Sequence, residues 1–244
     1  KHTLLLLAAY IFAAAIVQAQ DKTPARKYST YYYQRASLFE KLPVTSEDIL
    51  FVGNSLTYGA EWTELFQNQH IKNRGISGDM TDGVYDRLPA LLKGKPAQIF
   101  LLIGTNDIPR GKSVEDIAAG IHKIIKKIKQ DSPRTQLFVQ SLLPLNPQYN
   151  MFPGHVARWE IIPDINKAIE QIAREENLTY IDLFSRFADS EGKLKGEYTN
   201  DGLHLLGSGY LLWKEIITPY LKGESLRHLP TLRQPPVPAH KNLS

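Results

Sequence analysis

The sequence predicts an α/β protein, a three-layer α/β/α sandwich around a five-stranded parallel sheet. Two observations predict it. Short apolar runs rich in Ile, Leu, Val and Phe alternate with longer segments whose apolar residues recur at helical spacing. Strand-helix-strand alternation of this kind builds parallel sheets covered on both faces. Polar and glycine-rich words then follow the strand runs, as Gly53-Asn54-Ser55-Leu56 follows Ile49-Leu50-Phe51-Val52. In such folds the carboxyl ends of the strands converge on one crevice. With 244 residues, 43% of them apolar, the chain can bury one full core.

Taken in order, Lys1 and His2, the apolar run 4–17 and the small-residue pattern Val17-Gln18-Ala19 read as a signal peptide over residues 1–19, with Gln20 as the mature start. The run is shorter than the roughly 20 residues that span a bilayer. No stable membrane span is therefore expected, and the protein is expected to be exported, periplasmic or secreted. There is no Cys, which removes disulfides, a Cys nucleophile, Cys-ligated zinc and a thioether-linked lipid. Residues 20–47 form an N-terminal extension, with a helix over 30–41 whose aromatics are expected to pack on the domain.

The domain proper covers 48–222. Strands are expected at 49–52, 71–73, 98–103, 136–140 and 179–182, and helices at 61–69, 82–92, 113–130, 163–176 and 207–221. Right-handed crossovers and this element order suit a flavodoxin-like 2-1-3-4-5 sheet, whose switch point lies beside the first strand. The tail 223–244, with Pro230, Pro235, Pro236 and Pro238, reads as irregular. The formal charge of +4 does not indicate nucleic-acid binding. Ile117, Ile121, Ile124, Ile125 and Ile128 share one helical face, which leaves the neighbouring lysines on the solvated one.

A serine hydroxyl is a weak nucleophile and needs a base, itself oriented by a carboxylate. Ser55 follows the first strand, and Asp201-Gly202-Leu203-His204 carries a carboxylate and an imidazole three residues apart. The surroundings of Ser55 are not the G-x-S-x-G elbow. Donors for an oxyanion are available at the Ser55 N–H, the Gly78 N–H and the Asn106 amide. Asp79 and Asp107 read as structural acceptors. His70 and His122 fall in predicted helices. His155 falls in the segment 142–159, where it and Trp159, with Asn146, Tyr149, Asn150 and Phe152, are candidates for contacts to a sugar; long segments of this kind are often functional. No metal-ligand spacing such as H-E-x-x-H occurs.

The words Gly-Asn-Ser-Leu, Ile-Ser-Gly-Asp, Gly-Thr-Asn-Asp and Asp-Gly-Leu-His, in this order, resemble the four blocks of the SGNH, or GDSL, hydrolase superfamily. The stretch Asn73 to Thr81 together with Ile103-Gly104-Thr105-Asn106-Asp107 is most similar to the branch of platelet-activating-factor acetylhydrolase catalytic subunits and bacterial carbohydrate acetylesterases, sialate O-acetylesterases included. Asn54 departs from the usual Asp, keeping the shape and removing a charge. The resemblance implies Ser55 as nucleophile, Asp201 and His204 as its partners, Gly78 and Asn106 as oxyanion donors, and no cofactor or metal. The expected function is a serine esterase that removes O-acetyl groups from carbohydrates, with a small-molecule or glycan ester as its partner and no nucleic acid. A lysophospholipase or broad arylesterase, and a non-catalytic carbohydrate-binding protein on the same fold, are the alternatives. Nothing in the sequence sets an oligomeric state.

Overall fold

The computed structural model describes residues 26–221. The expected signal peptide, residues 20–25 and the segment 222–244 lie outside the described residues. Helix α1 (Thr30–Lys41) is capped by the Ser29 side chain, which accepts from the Tyr32 N–H. It buries Tyr32 and Phe39 against the domain. Tyr33 stays exposed, so the expectation that the aromatics pack holds for one face only.

The sheet contains β1 (Ile49–Gly53), β2 (Ile71–Gly75), β3 (Gln98–Leu102), β4 (Gln136–Gln140) and β5 (Thr179–Ile181). All four pairings are parallel, in the order β2-β1-β3-β4-β5. Strands β1 and β3 are buried at every position, as their unbroken apolar runs require of strands covered on both faces. Phe51, Phe100 and Phe138 stack across β1, β3 and β4 with centroids 5.0 and 4.6 Å apart.

The covering helices include α2 (Ser55–Tyr58), α3 (Trp62–Phe66), α4 (Thr81–Leu92), α5 (Val114–Asp131), α6 (Pro153–Val156), α7 (Ile162–Glu175), α8 (Phe184–Phe187) and α9 (Gly207–Ile217). Ser113 and Asp116 form a reciprocal capping box on α5, and the five isoleucines of its apolar face are all buried. Two expected helices are shorter than their sequence pattern. Helix α3 stops at Phe66 because Gln67 turns left-handed at φ 49°, which leaves His70 in an exposed turn before β2 and not in a helix. Helix α9 gives way to a 3-10 turn at Thr218–Tyr220, where Pro219 has no N–H to continue the ladder.

Candidate active site

Ser55 is the first residue of α2, directly beyond β1. The Asn54 side-chain oxygen accepts from the Leu56 N–H at 3.0 Å and caps this one-turn helix. An amide oxygen thus supplies the cap acceptor without a charge. Gly53, at the end of β1, pairs with Gly75 on one side and Leu102 on the other. Three adjacent strands therefore deliver their exits to one edge of the sheet.

His204 arrives from the other end of the domain, 149 residues away, and its Nε2 stands 3.1 Å from Ser55 Oγ. The loop that carries it is folded around Asp201. Oδ1 accepts from the Leu203 and His204 N–H groups at 2.8 and 2.7 Å, and Oδ2 accepts from His204 Nδ1 at 2.8 Å. Because a carboxylate only accepts, Nδ1 carries a proton, and in the neutral ring Nε2 presents its lone pair to the serine hydroxyl. Partial burial pushes the Asp201 carboxyl up, but the Leu203 N–H, the His204 ring and the His204 N–H outweigh it and hold it below the ordinary value. Gly202, at φ 82°, permits the turn, and a Cβ there would lie 2.3 Å from the Asn146 carbonyl oxygen. The loop is anchored by the Asn146 N–H donating to the Gly202 carbonyl at 2.8 Å and the Gly202 N–H donating to Thr199 Oγ1 at 2.9 Å.

Gly78 lies in the turn after β2 at φ 77°, exposed, with open space where a Cβ would stand. The glycine is needed for its backbone conformation. The Ile76 N–H donates to the Gly53 carbonyl at 3.1 Å, tying this turn to β1. Asn106 sits in a 3-10 segment (Thr105–Arg110) after β3, and its Nδ2 donates to the Asp79 carbonyl at 2.9 Å.

Two buried carboxylates brace these turns. Asp79 Oδ2 accepts from Arg87 Nε at 2.8 Å, and Arg87 Nη2 also donates to the Gly53 carbonyl at 3.1 Å. Burial nonetheless holds the Asp79 carboxyl above its ordinary value, against the pull of Arg87. Asp107 accepts from the Thr81 N–H at 3.1 Å, the Thr81 hydroxyl at 2.6 Å and Lys112 Nζ at 2.7 Å. Both are the structural acceptors expected of them. The Arg87 contribution was not visible in the sequence, where it is one cation among 29 Lys and Arg.

The segment after β4 does border the crevice, though not with all the residues expected. Phe152 places its ring edge-on to His204, with centroids 5.2 Å apart, and holds a left-handed φ of 53° that a bulky residue rarely adopts. His155 Nε2 is 2.9 Å from Asn106 Oδ1, so this histidine meets the candidate oxyanion donor. Trp159 packs at the edge of the core, where its ring and that of Phe184 flank Gly192. Asn146 is buried, with Nδ2 donating to the Leu194 carbonyl at 2.9 Å and Oδ1 accepting from the Gln148 N–H at 3.0 Å. Tyr149 donates its hydroxyl to the Thr199 carbonyl at 3.2 Å. The expected sugar contacts Asn146 and Tyr149 thus hold the Asp201 to His204 loop in place. No local sequence signal distinguishes an amide that braces a loop from one that faces a ligand.

A hydroxyl, an imidazole and a carboxylate in hydrogen-bonded series, at the same sheet edge from which the Gly78 turn and the Asn106 segment leave, form a set suited to acyl transfer. The comparisons with known proteins agree. The platelet-activating factor acetylhydrolase IB subunit alpha2 of Rattus norvegicus is 31% identical over 170 residues, which is 67% of this chain and 71% of that one. A solved structure from Streptococcus pneumonia is 30% identical, with a TM-score of 0.70 over 88% of this chain and 98% of its own. A catalytic mutant of an acetylxylan esterase from Geobacillus stearothermophilus shares the fold at 17% identity, with a TM-score of 0.57 over 72% of this chain and 94% of its own. Residues 51–212 match the GDSL-like lipase/acylhydrolase family, and the chain therefore belongs to that family of ester-hydrolysing enzymes, within the SGNH hydrolase superfamily.

Proposed function

We propose that this protein is an exported serine esterase that removes short acyl groups, above all acetyl, from the hydroxyls of a carbohydrate, sialic acids included. The observation that carries the chemistry is the series Ser55 Oγ, His204 Nε2, His204 Nδ1 and Asp201 Oδ2, closed at 3.1 and 2.8 Å. In the proposed reaction His204 Nε2 takes the Ser55 proton as Oγ attacks the ester carbonyl. The oxyanion is received by the N–H groups of Ser55 and Gly78 and by Asn106 Nδ2. The tetrahedral intermediate expels the alkoxide, which His204 protonates, and a water activated by the same imidazole releases the acid from Ser55. These steps call for no cofactor.

The acetyl preference is supported by the name of the rat relative, an acetylhydrolase, and the carbohydrate by the acetylxylan esterase among the structural neighbours. Export is supported by the apolar run 4–17 and the small-residue pattern before Gln20. The test is kcat/KM for acetate, butyrate and octanoate esters of one chromogenic alcohol, followed by acid release from acetylated sialic acid, xylan and lysophospholipid. Each added methylene contributes about 0.8 kcal/mol where an apolar groove receives it. A lipid-ester enzyme therefore gains activity with chain length, and a closed acetyl pocket loses it. A fall from acetate to octanoate is expected. A rise would replace this reading with the lysophospholipase or arylesterase one.

A further inference from the structure

Helix α6 is fastened to the 3-10 segment that carries Asn106. Gly154 packs on Pro109, Arg158 Nη1 donates to the Lys112 carbonyl at 2.9 Å, and His155 Nε2 lies 2.9 Å from Asn106 Oδ1. The direction of the last bond follows from the other end of the amide. The Asp79 carbonyl only accepts, so the group facing it at 2.9 Å is the Asn106 Nδ2. The oxygen then faces His155, and Nε2 must carry the proton.

An amide fastened at its oxygen and at one of its two N–H bonds cannot swing about its side-chain torsion. Its second N–H keeps one direction. We propose that His155 is a positioning residue for ester hydrolysis, holding the Asn106 carboxamide so that its remaining N–H is preset toward the oxyanion. This rests on the esterase reading above, and it takes the place of the expectation that His155 contacts a sugar, because Nε2 is engaged by Asn106. Partial burial and then the nearby His204 imidazole lower the His155 pKa. The ring accordingly stays neutral at pH 7 and places no cation beside the proposed base. Phe152, the N-cap of α6, packs on the His204 ring, so α6 and its cap touch both the proposed base and the proposed oxyanion donor.

The experiment measures kcat and KM with a chromogenic acetate for His155→Leu and His155→Gln, each in the wild-type and Asn106→Ala backgrounds. His155→Leu should lower kcat about tenfold, the scale of one lost neutral hydrogen bond, with KM nearly unchanged. His155→Gln, whose amide N–H can reach the same oxygen, should recover most of the loss. In the Asn106→Ala background His155→Leu should change nothing further, because the group it positions is gone. An undiminished loss in that background, or a rise in KM with kcat intact, would overturn the proposal. The Asn106 side-chain amide resonances of the whole protein supply a readout besides turnover. His155→Leu should draw the two Nδ2 protons together as the amide gains freedom, and unchanged resonances would overturn the positioning role. If the wild-type protein hydrolyses no ester, the esterase reading falls, and the resonances still decide whether His155 fixes Asn106.

Discussion

The two banks of the crevice are fixed by different chemistry. On the bank formed by the exits of β1, β2 and β3, the braces are buried charges: Asp79 with Arg87, and Asp107 with Thr81 and Lys112. On the bank formed by residues 142–161 and 199–204, the braces behind the Asp201 to His204 loop are neutral: Asn146, Tyr149 and Thr199 joined to backbone N–H and carbonyl groups. A neutral hydrogen bond contributes about 1 kcal/mol net, whereas unpairing a buried charge costs several. The difference teaches where rigidity is concentrated. The bank proposed to meet developing negative charge holds its own carboxylates each against a cation, so neither stands uncompensated behind the oxyanion.

The largest effect expected joins the banks. Ser55→Ala and His204→Ala should each lower kcat by on the order of 10⁴, with little further loss in the double variant, since the proposed nucleophile and base would act as a unit. Near-normal turnover of Ser55→Ala with an unchanged unfolding midpoint would mean that the crevice has another nucleophile and that the comparison is drawn around the wrong atoms.

Arg87→Met tests the charged bank alone. It leaves Asp79 buried without its partner and should cost about 3–5 kcal/mol in denaturant unfolding at pH 7. The pH dependence has a definite sign. Burial already holds Asp79 above its ordinary value, and loss of Arg87 moves it further up. A raised carboxyl pKa destabilises the fold above the unfolded value of about 4 and not below it. The deficit should therefore shrink as pH falls toward 4, and a deficit independent of pH would show that Arg87 acts through packing and not through charge.

Asn146→Ala is the counterpart on the neutral bank. It strips the Leu194 carbonyl and the Gln148 N–H of their partner and should cost roughly 1–3 kcal/mol, less than Arg87→Met, without the pH trend. A loss equal to that of Arg87→Met would erase the distinction between the banks.

The fold and the polar words at the strand exits, Asp79 and Asp107 among them, were the more legible in sequence, for a physical reason, whereas the cations that pair with those carboxylates, Arg87 and Lys112, were not. Parallel strands buried on both faces write themselves as apolar runs, and α5 shows its buried face in five isoleucines. Ser55, Gly78, Asn106, Asp201 and His204 stand in short words beside those runs, and the structure gathers them at one edge of the sheet with Ser55, His204 and Asp201 in hydrogen-bonded series. What stayed hidden depends on contacts far along the chain. Helix α2 is four residues long, too short to show a period. The roles of Asn146 and Tyr149 as loop braces depend on residues 48–56 and 50 positions away, and the bond of His155 to Asn106 spans 49.

One distance in the chain has a further consequence. The imidazole that faces Ser55 is separated from it by 149 residues, and α9, which follows it, is joined to the serine turn by the Tyr210 hydroxyl, which donates to the Leu56 carbonyl at 3.0 Å. Closing so long a loop has no local compensation, and the entropy is offset only by assembly of the whole sheet. If Ser55 and His204 act as proposed, a chain emerging at roughly 5–20 residues per second carries its serine for on the order of ten seconds before the proposed base exists. The nascent protein would then be inert by topology, and turnover would report on the completeness of the entire domain.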